Sequence, residues 1–236
     1  MSMLTLIQRF CERTNLNSPA TVYGSTDPQI TQIKAMLEEE GNDLAKRGDW
    51  NELTFEATHT TVATESQGAI TTIASNGFRN IKNDTIWDRT LKLPLPVLND
   101  VEWQAQKGFA TTGPNYSVRI RGGLLLSNPV PTAGHTWAFE YISKNWILGV
   151  DGVTYKQFFT LDTDTLLLPE ELLTLGLRWR WKKEKGFDYA EDFATYEKQV
   201  AQALGSNGMK KKLSMDGGIA DARPHIAVPQ GNWGLP

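Results

Sequence analysis

Several classes of protein are excluded by what this chain has little of. Cysteine occurs once in 236 residues, at Cys11, which rules out an internal disulfide and any multi-cysteine metal site. Cys11 lies in an amphipathic segment beside Leu4 and Ile7, the setting of a buried thiol rather than a reactive one. Histidine is nearly as scarce. His59, His135 and His225 show no HxxxH or HxH spacing, and His59 and His135 read as ordinary surface or edge positions. No apolar run approaches the ~20 residues that cross a bilayer. The N-terminus has no basic region followed by an apolar core, so neither a membrane helix nor a secretory signal is expected and the chain reads as intracellular in origin. Charge of one sign is lacking as well: the formal net charge is −3, with 22% charged and 40% hydrophobic residues. That balance suits a soluble chain of one large or two small domains and argues against a nucleic-acid coat or a membrane-surface protein. No P-loop, dinucleotide fingerprint or G-x-S-x-G occurs, and Asp216-Gly-Gly218 reads as a flexible turn.

What is present begins with helices. Leu4 to Arg13 reads as a short amphipathic helix. Asp27-Pro28 supplies an N-cap and a first-turn proline for a long helix to about Arg47, with Ile30, Ile33, Leu37 and Leu44 on one face. Glu38 to Glu40 reads as a solvated stretch of it, and Gly48-Asp49-Trp50 closes it. Near the other end, Pro169 to Leu204 reads as two helices joined at Lys185-Gly186-Phe187. Gly186 is a natural C′ residue, and Arg178, Arg180, Lys182, Lys183 and Lys185 crowd the closing turns, where the helix dipole favours positive charge. Asp188 and Glu191 resemble a capping box for the second helix, whose apolar face is Tyr189, Phe193, Tyr196, Val200 and Leu204. The first helix of the pair carries two apolar stripes, Leu168, Leu172, Leu175, Trp179 and, opposite, Leu173, Leu177, Trp181. A helix apolar on two sides is buried on both, so the second stripe meets either its own chain or another subunit; Leu173, Leu177 and Trp181 are candidate subunit-interface residues.

Between these pairs the texture changes to alternating Thr- and Val-rich segments. Glu52 to Glu65, Ile70 to Ile73, Asp84 to Thr90, Tyr116 to Arg121, Leu124 to Ser127, Thr136 to Ile142 and Phe158 to Leu161 read as strands. Arg121-Gly-Gly-Leu124 reads as a two-residue hairpin, and Asp100 to about Lys107 as a short helix. The order predicts an α+β protein: a helical bundle of two N-terminal and two C-terminal helices (1–50 and 163–205), an inserted β-rich domain (51–162), and an extended C-terminal tail (206–236). The tail is rich in Gly, Ser, Lys, Asp and Pro and cannot bury enough apolar surface to fold alone.

Candidate chemistry is sparse. Phe158-Phe-Thr-Leu-Asp162-Thr-Asp164-Thr165 resembles the first motif of haloacid-dehalogenase-type phosphatases, in which Asp162 would be the nucleophile, Asp164 a general acid, and both would hold Mg²⁺. Only two helices and a tail follow, so a polar turn before Pro169 is the better reading. No cofactor is otherwise implied. The bases at 178–185 alternate with Trp179 and Trp181, a pattern that either touches nucleic acid or forms a solvated helix end over core tryptophans. Lys210, Lys211 and Lys212 could line a passage for nucleic acid, with non-specific, salt-dependent contact. Of the eight tryptophans, Trp233 has no apolar neighbourhood in sequence and reads as an anchor for a partner's pocket. Ile226, Val228 and Leu235 would add smaller contacts and Arg223 a charged one.

The segments Leu4-Thr-Leu-Ile-Gln-Arg-Phe-Cys11, Glu38 to Trp50, Trp137 to Trp146 and Leu177 to Phe193 resemble the adaptor proteins of tailed bacteriophages, of the tail tubular protein A type, from Leu4 to about Gly217. The resemblance implies a bundle with an inserted β domain and a structural, non-enzymatic role in the virion neck after synthesis in the host cytoplasm. It also implies a ring, dodecameric like the portal, with a tail nozzle or tube protein on its far side and the C-terminal extension on the portal or a neighbour. A stopper or nozzle subunit is the alternative virion role.

Overall fold

The computed structural model of the protein describes residues 1–82, 85–109 and 115–207. The chain opens with helices α1 (Met3–Thr14) and α2 (Pro28–Arg47) and one 3-10 turn (Asn51–Leu53). Next come β1 (Thr54–Thr60), β2 (Ser66–Ala69), α3 (Ile70–Ile73), β3 (Phe78–Ile81), β4 (Trp87–Asp88), β5 (Leu93–Pro94) and α4 (Asp100–Gly108). Strands β6 (Ser117–Arg121), β7 (Leu124–Asn128), β8 (Thr136–Ser143), β9 (Ile147–Leu148), β10 (Tyr155–Lys156) and β11 (Thr165–Leu166) precede the closing helices α5 (Glu170–Glu184) and α6 (Ala190–Asn207). With six helices and three antiparallel sheets among the described residues, the protein is α+β.

The helix ends follow from local chemistry. Asp27 accepts from Gln29 N at 2.9 Å, just ahead of Pro28, so α2 starts where the capping signal lies. α5 ends in a Schellman motif: Phe187 N donates to Lys182 O at 2.9 Å, Gly186 N donates to Lys183 O at 3.2 Å, and Gly186 takes φ +74°. The far end of α2 is closed from outside. The Arg79 guanidinium on β3 donates to the carbonyls of Ala45 and Gly48 and to the Asp49 carboxylate, satisfying acceptors that the helix end leaves open.

α5 packs against α1, α2 and α6, and the four helices share one core containing Phe10, Ile33, Leu37, Leu44, Trp50, Leu173, Leu177 and Tyr196. Leu53, Ile142, Trp146, Ile147 and Phe159, from the segment between the helix pairs, are part of that core. A second core gathers Ala57, Ile86, Tyr116, Val118, Leu125, Trp137, Phe139 and Tyr141 under the sheets. β8 is the spine of the β region. It pairs with β1 over seven positions on one edge, and with β3 and β4 in succession on the other. Neighbouring β8 residues enter different cores, Tyr141 the sheet core and Ile142 the helical one, as side chains alternating across a strand require.

Some expectations are corrected. Ile70 to Ile73 is one helical turn, α3, because Ile70 must reach the sheet core and Ala74 N closes back on Ile70 O at 2.8 Å. Phe158 to Leu161 is not a strand. The N–H groups of Thr160 and Leu161, which a ladder would use, are held by the buried Asp164 carboxylate. The hairpin at Gly122-Gly123 forms as expected, with both glycines at positive φ.

One close approach generates a prediction. A Cβ on Gly41 of α2 would lie 2.1 Å from the Trp146 ring. Gly→Ala inside a helix ordinarily gains roughly 1 kcal/mol, whereas Gly41→Ala should lose about 1–3 kcal/mol through overpacking. Chemical denaturation reads the sign directly.

Candidate interaction surfaces

α5 is organised around a buried charge on its neighbour. Glu40 of α2 is fully buried, which corrects its reading as a solvated residue. Room for it is made by Gly176 of α5, where a Cβ would fall 2.2 Å from the Glu40 carboxyl carbon. Its carboxylate accepts from Arg180 Nε at 2.7 Å and from the Tyr196 hydroxyl. The rest of the Arg180 guanidinium reaches Glu39 and Asp43. Burial opposes the Arg180 charge, but the bond to Glu40 and the surrounding carboxylates outweigh it and raise the pKa. Burial first, then the Glu40 charge, pushes the Tyr196 hydroxyl well above the ordinary phenol range. One carboxylate thus ties α2, α5 and α6 together.

The other bases of α5 are also engaged within the chain. Arg178 and Lys182 both pair with Asp192 of α6, Lys183 lies 5.8 Å from the Trp179 ring centroid, and Lys185 donates to Gln32. The alternating Trp/base pattern is therefore internal packing. Trp179 is edge-on to Phe193 at 5.1 Å and Trp181 to Phe10 at 6.2 Å, with Phe187 against Trp181. Each apolar stripe of α5 is covered in part by the chain's own helices: Leu173 and Leu177 are fully buried in the helical core, while Leu175 stays half-buried. Of the three candidate interface residues, Leu173 and Leu177 thus face the chain's own core and Trp181 stays partly exposed.

The face of α5 turned away from Glu40 is open. Leu175, Arg178 and Lys182 lie about half a turn around the helix from Gly176 and Arg180. Three adjoining hollows of about 440, 450 and 440 Å³ follow this face between α1 and α6. The first is floored by Phe10, Leu175 and Trp181 and bordered by Arg13, Arg178 and Lys182. Arg13 is exposed and has no carboxylate partner among the described residues. Sequence reading missed this groove, because its walls come from opposite ends of the chain.

The other candidates have structural duties. Asp162 Oδ1 accepts from the backbone N–H groups of Val22 and Tyr23 at 3.0 and 2.6 Å. Asp164 is fully buried and accepts from Thr160 N, Leu161 N and Lys156 Nζ. These carboxylates build the polar turn before α5. His135 Nδ1 lies 2.9 Å from the buried Asp88 carboxylate, which also accepts from Trp137 Nε1, Thr90 N and Leu91 N. At Asp88 and Asp164, burial works to raise the pKa, but these hydrogen bonds prevail and hold it below the ordinary 3.8. Burial raises the Cys11 thiol, so it stays protonated and inert. No cluster of three His, Cys, Asp or Glu able to hold a metal ion occurs among the described residues, and no helix there is long and apolar enough to cross a membrane. His225, Lys210, Lys211, Lys212, Arg223, Ile226, Val228, Trp233 and Leu235 lie outside the described residues.

Residues 1–224 match the model of the SU10 adaptor protein family, and the chain belongs to that family. It is a phage adaptor protein. No curated protein matches the chain.

Two outcomes follow from these buried charges. Arg180→Met should cost about 3–5 kcal/mol, because it leaves Glu40 buried and uncompensated, and Glu40→Leu in the same chain should recover much of it; denaturant unfolding of both variants checks this. Because the folded pKa values of Asp88 and Asp164 are depressed, the unfolded chain binds more protons in acid. Their contribution should be complete above the ordinary value of 3.8 and lost as pH falls below it. Melting temperature against pH should show that acid limb, and Asp164→Asn should flatten it.

Proposed function

We propose that this chain forms the adaptor ring between the portal and the tail nozzle of a tailed phage, as tail tubular protein A-like adaptors do. The observation that carries the reading is the match to an adaptor family over residues 1–224. Its role is structural and non-enzymatic, in the virion neck, after synthesis in the host cytoplasm. The ring repeats one subunit, twelve times on a dodecameric portal, so that modest contacts add up to a stable joint. The four packed helices act as a bundle domain (1–50 and 163–205) that carries residues 51–162 as an inserted β-rich domain. The tail (206–236) grips the portal or a neighbouring subunit through Arg223, Ile226, Val228, Trp233 and Leu235. Lys210, Lys211 and Lys212 border the path of the DNA and touch it without sequence preference.

Support for the ring comes from the open α5 face and for the non-enzymatic role from the structural duties of Asp162 and Asp164. Electron microscopy or mass photometry of the chain mixed with its portal should detect rings; their absence overturns the reading. Removing residues 216–236 should leave melting unchanged and weaken attachment to the portal. Unchanged attachment would take the tail out of the mechanism.

A further inference from the structure

The most protruding apolar side chains of the β9–β10 connection sit at its tip. Val150 and Val153 are 66% and 74% exposed. The tip is rigid: Gly149 N bonds Thr154 O at 2.8 Å, Gly152 N bonds Gly149 O at 3.0 Å, and Gly152 takes the positive φ of +70° that the turn needs. Asp151 between the valines accepts from Val153 N and Thr154 N. Bonds from the Thr154 hydroxyl and these N–H groups hold its carboxyl down to about 2, so the tip carries a fixed negative charge. It is a small apolar knob with one anion, presented without loop-ordering cost.

The α5 groove is its complement. Phe10, Leu175 and Trp181 offer an apolar floor, and Arg13 at the border is an exposed cation without a carboxylate partner among the described residues. Val150 and Val153 are exposed and line none of the three hollows along α5, so the knob is not seated in its own chain's groove. The hairpin follows directly from Trp146, which rests on α2 at Gly41 and donates to Asn42 Oδ1 at 3.0 Å. A knob left exposed in its own chain is free to seat in the hole of another copy. That is a heterologous, head-to-tail contact, the kind that closes into a ring.

We propose that the Val150–Val153 turn of one copy seats in the α5 groove of the next, with Asp151 against Arg13. This rests on the ring reading above and names the lateral surface that Leu173 and Leu177 cannot supply.

The test uses the full-length chain on portal particles. Arg13→Glu and Asp151→Lys should each weaken ring formation about ten-fold or more through like-charge contact, and the charge-swapped double variant should restore it. Circular dichroism of each monomer checks that the fold is intact. In a Cys11→Ser background, Val153→Cys combined with Leu175→Cys should give a ladder of disulfide-linked oligomers on oxidation. The two single-cysteine chains mixed together should give heterodimers and no ladder. Normal rings in both charge variants together with no ladder overturn the groove assignment and leave the ring reading standing. Absence of rings in the unmodified chain overturns both. If Leu175→Cys is shielded from thiol reagents on portal particles only while residues 208–236 are present, the tail occupies the groove and the proposal fails.

Discussion

The helical half depends on a carboxylate with no access to water. Glu40 is tolerable only because Arg180 and Tyr196 reach it and Gly176 stands aside for it. Charge burial of this kind adds little net stability, since desolvation cancels most of the attraction, but it discriminates strongly among arrangements. Sliding α5 along α2 by one turn would put a side chain onto Glu40 and carry Arg180 away. Apolar faces alone would allow several registers of α2, α5 and α6; the buried ion selects one. The grooves on the far side of α5 inherit their shape from that choice.

Much of the helical framework was legible because its signals are local. Asp27-Pro28, Gly186 and the spacing of Ile30, Ile33 and Leu37 act within a turn or two, and the helices begin and end close to where these residues put them. The Gly122-Gly123 hairpin was readable for the same reason. The two-residue strands β5, β9, β10 and β11 were not, since two residues cannot display alternation; β4 fell inside the segment read as a strand up to Thr90. Ile70 to Ile73 has the composition of a strand, yet tertiary burial of Ile70 decides for a helical turn.

The site was harder to read than the fold. The two apolar stripes of α5 were visible, but not that α1, α2 and α6 would cover them and leave Leu175 at the edge. Glu40 looks like its neighbours Glu38 and Glu39, and the residues that bury it lie more than a hundred positions away. A groove assembled from α1 and α5 has no contiguous signature. The adjacency of Asp88 and His135 was equally hidden, because a strand pairing creates it.

β8 sends Ile142 into the helical core and Tyr141 into the sheet core, while Arg79 from β3 holds the end of α2. The two halves therefore lack a hinge: bending one against the other would pull Ile142 out of its packing and strip Arg79 from the helix carbonyls. A load applied to the sheets passes into the helices through a continuous strand and a guanidinium clamp. A chain built this way would carry force between its sheets and its helices as a strut does.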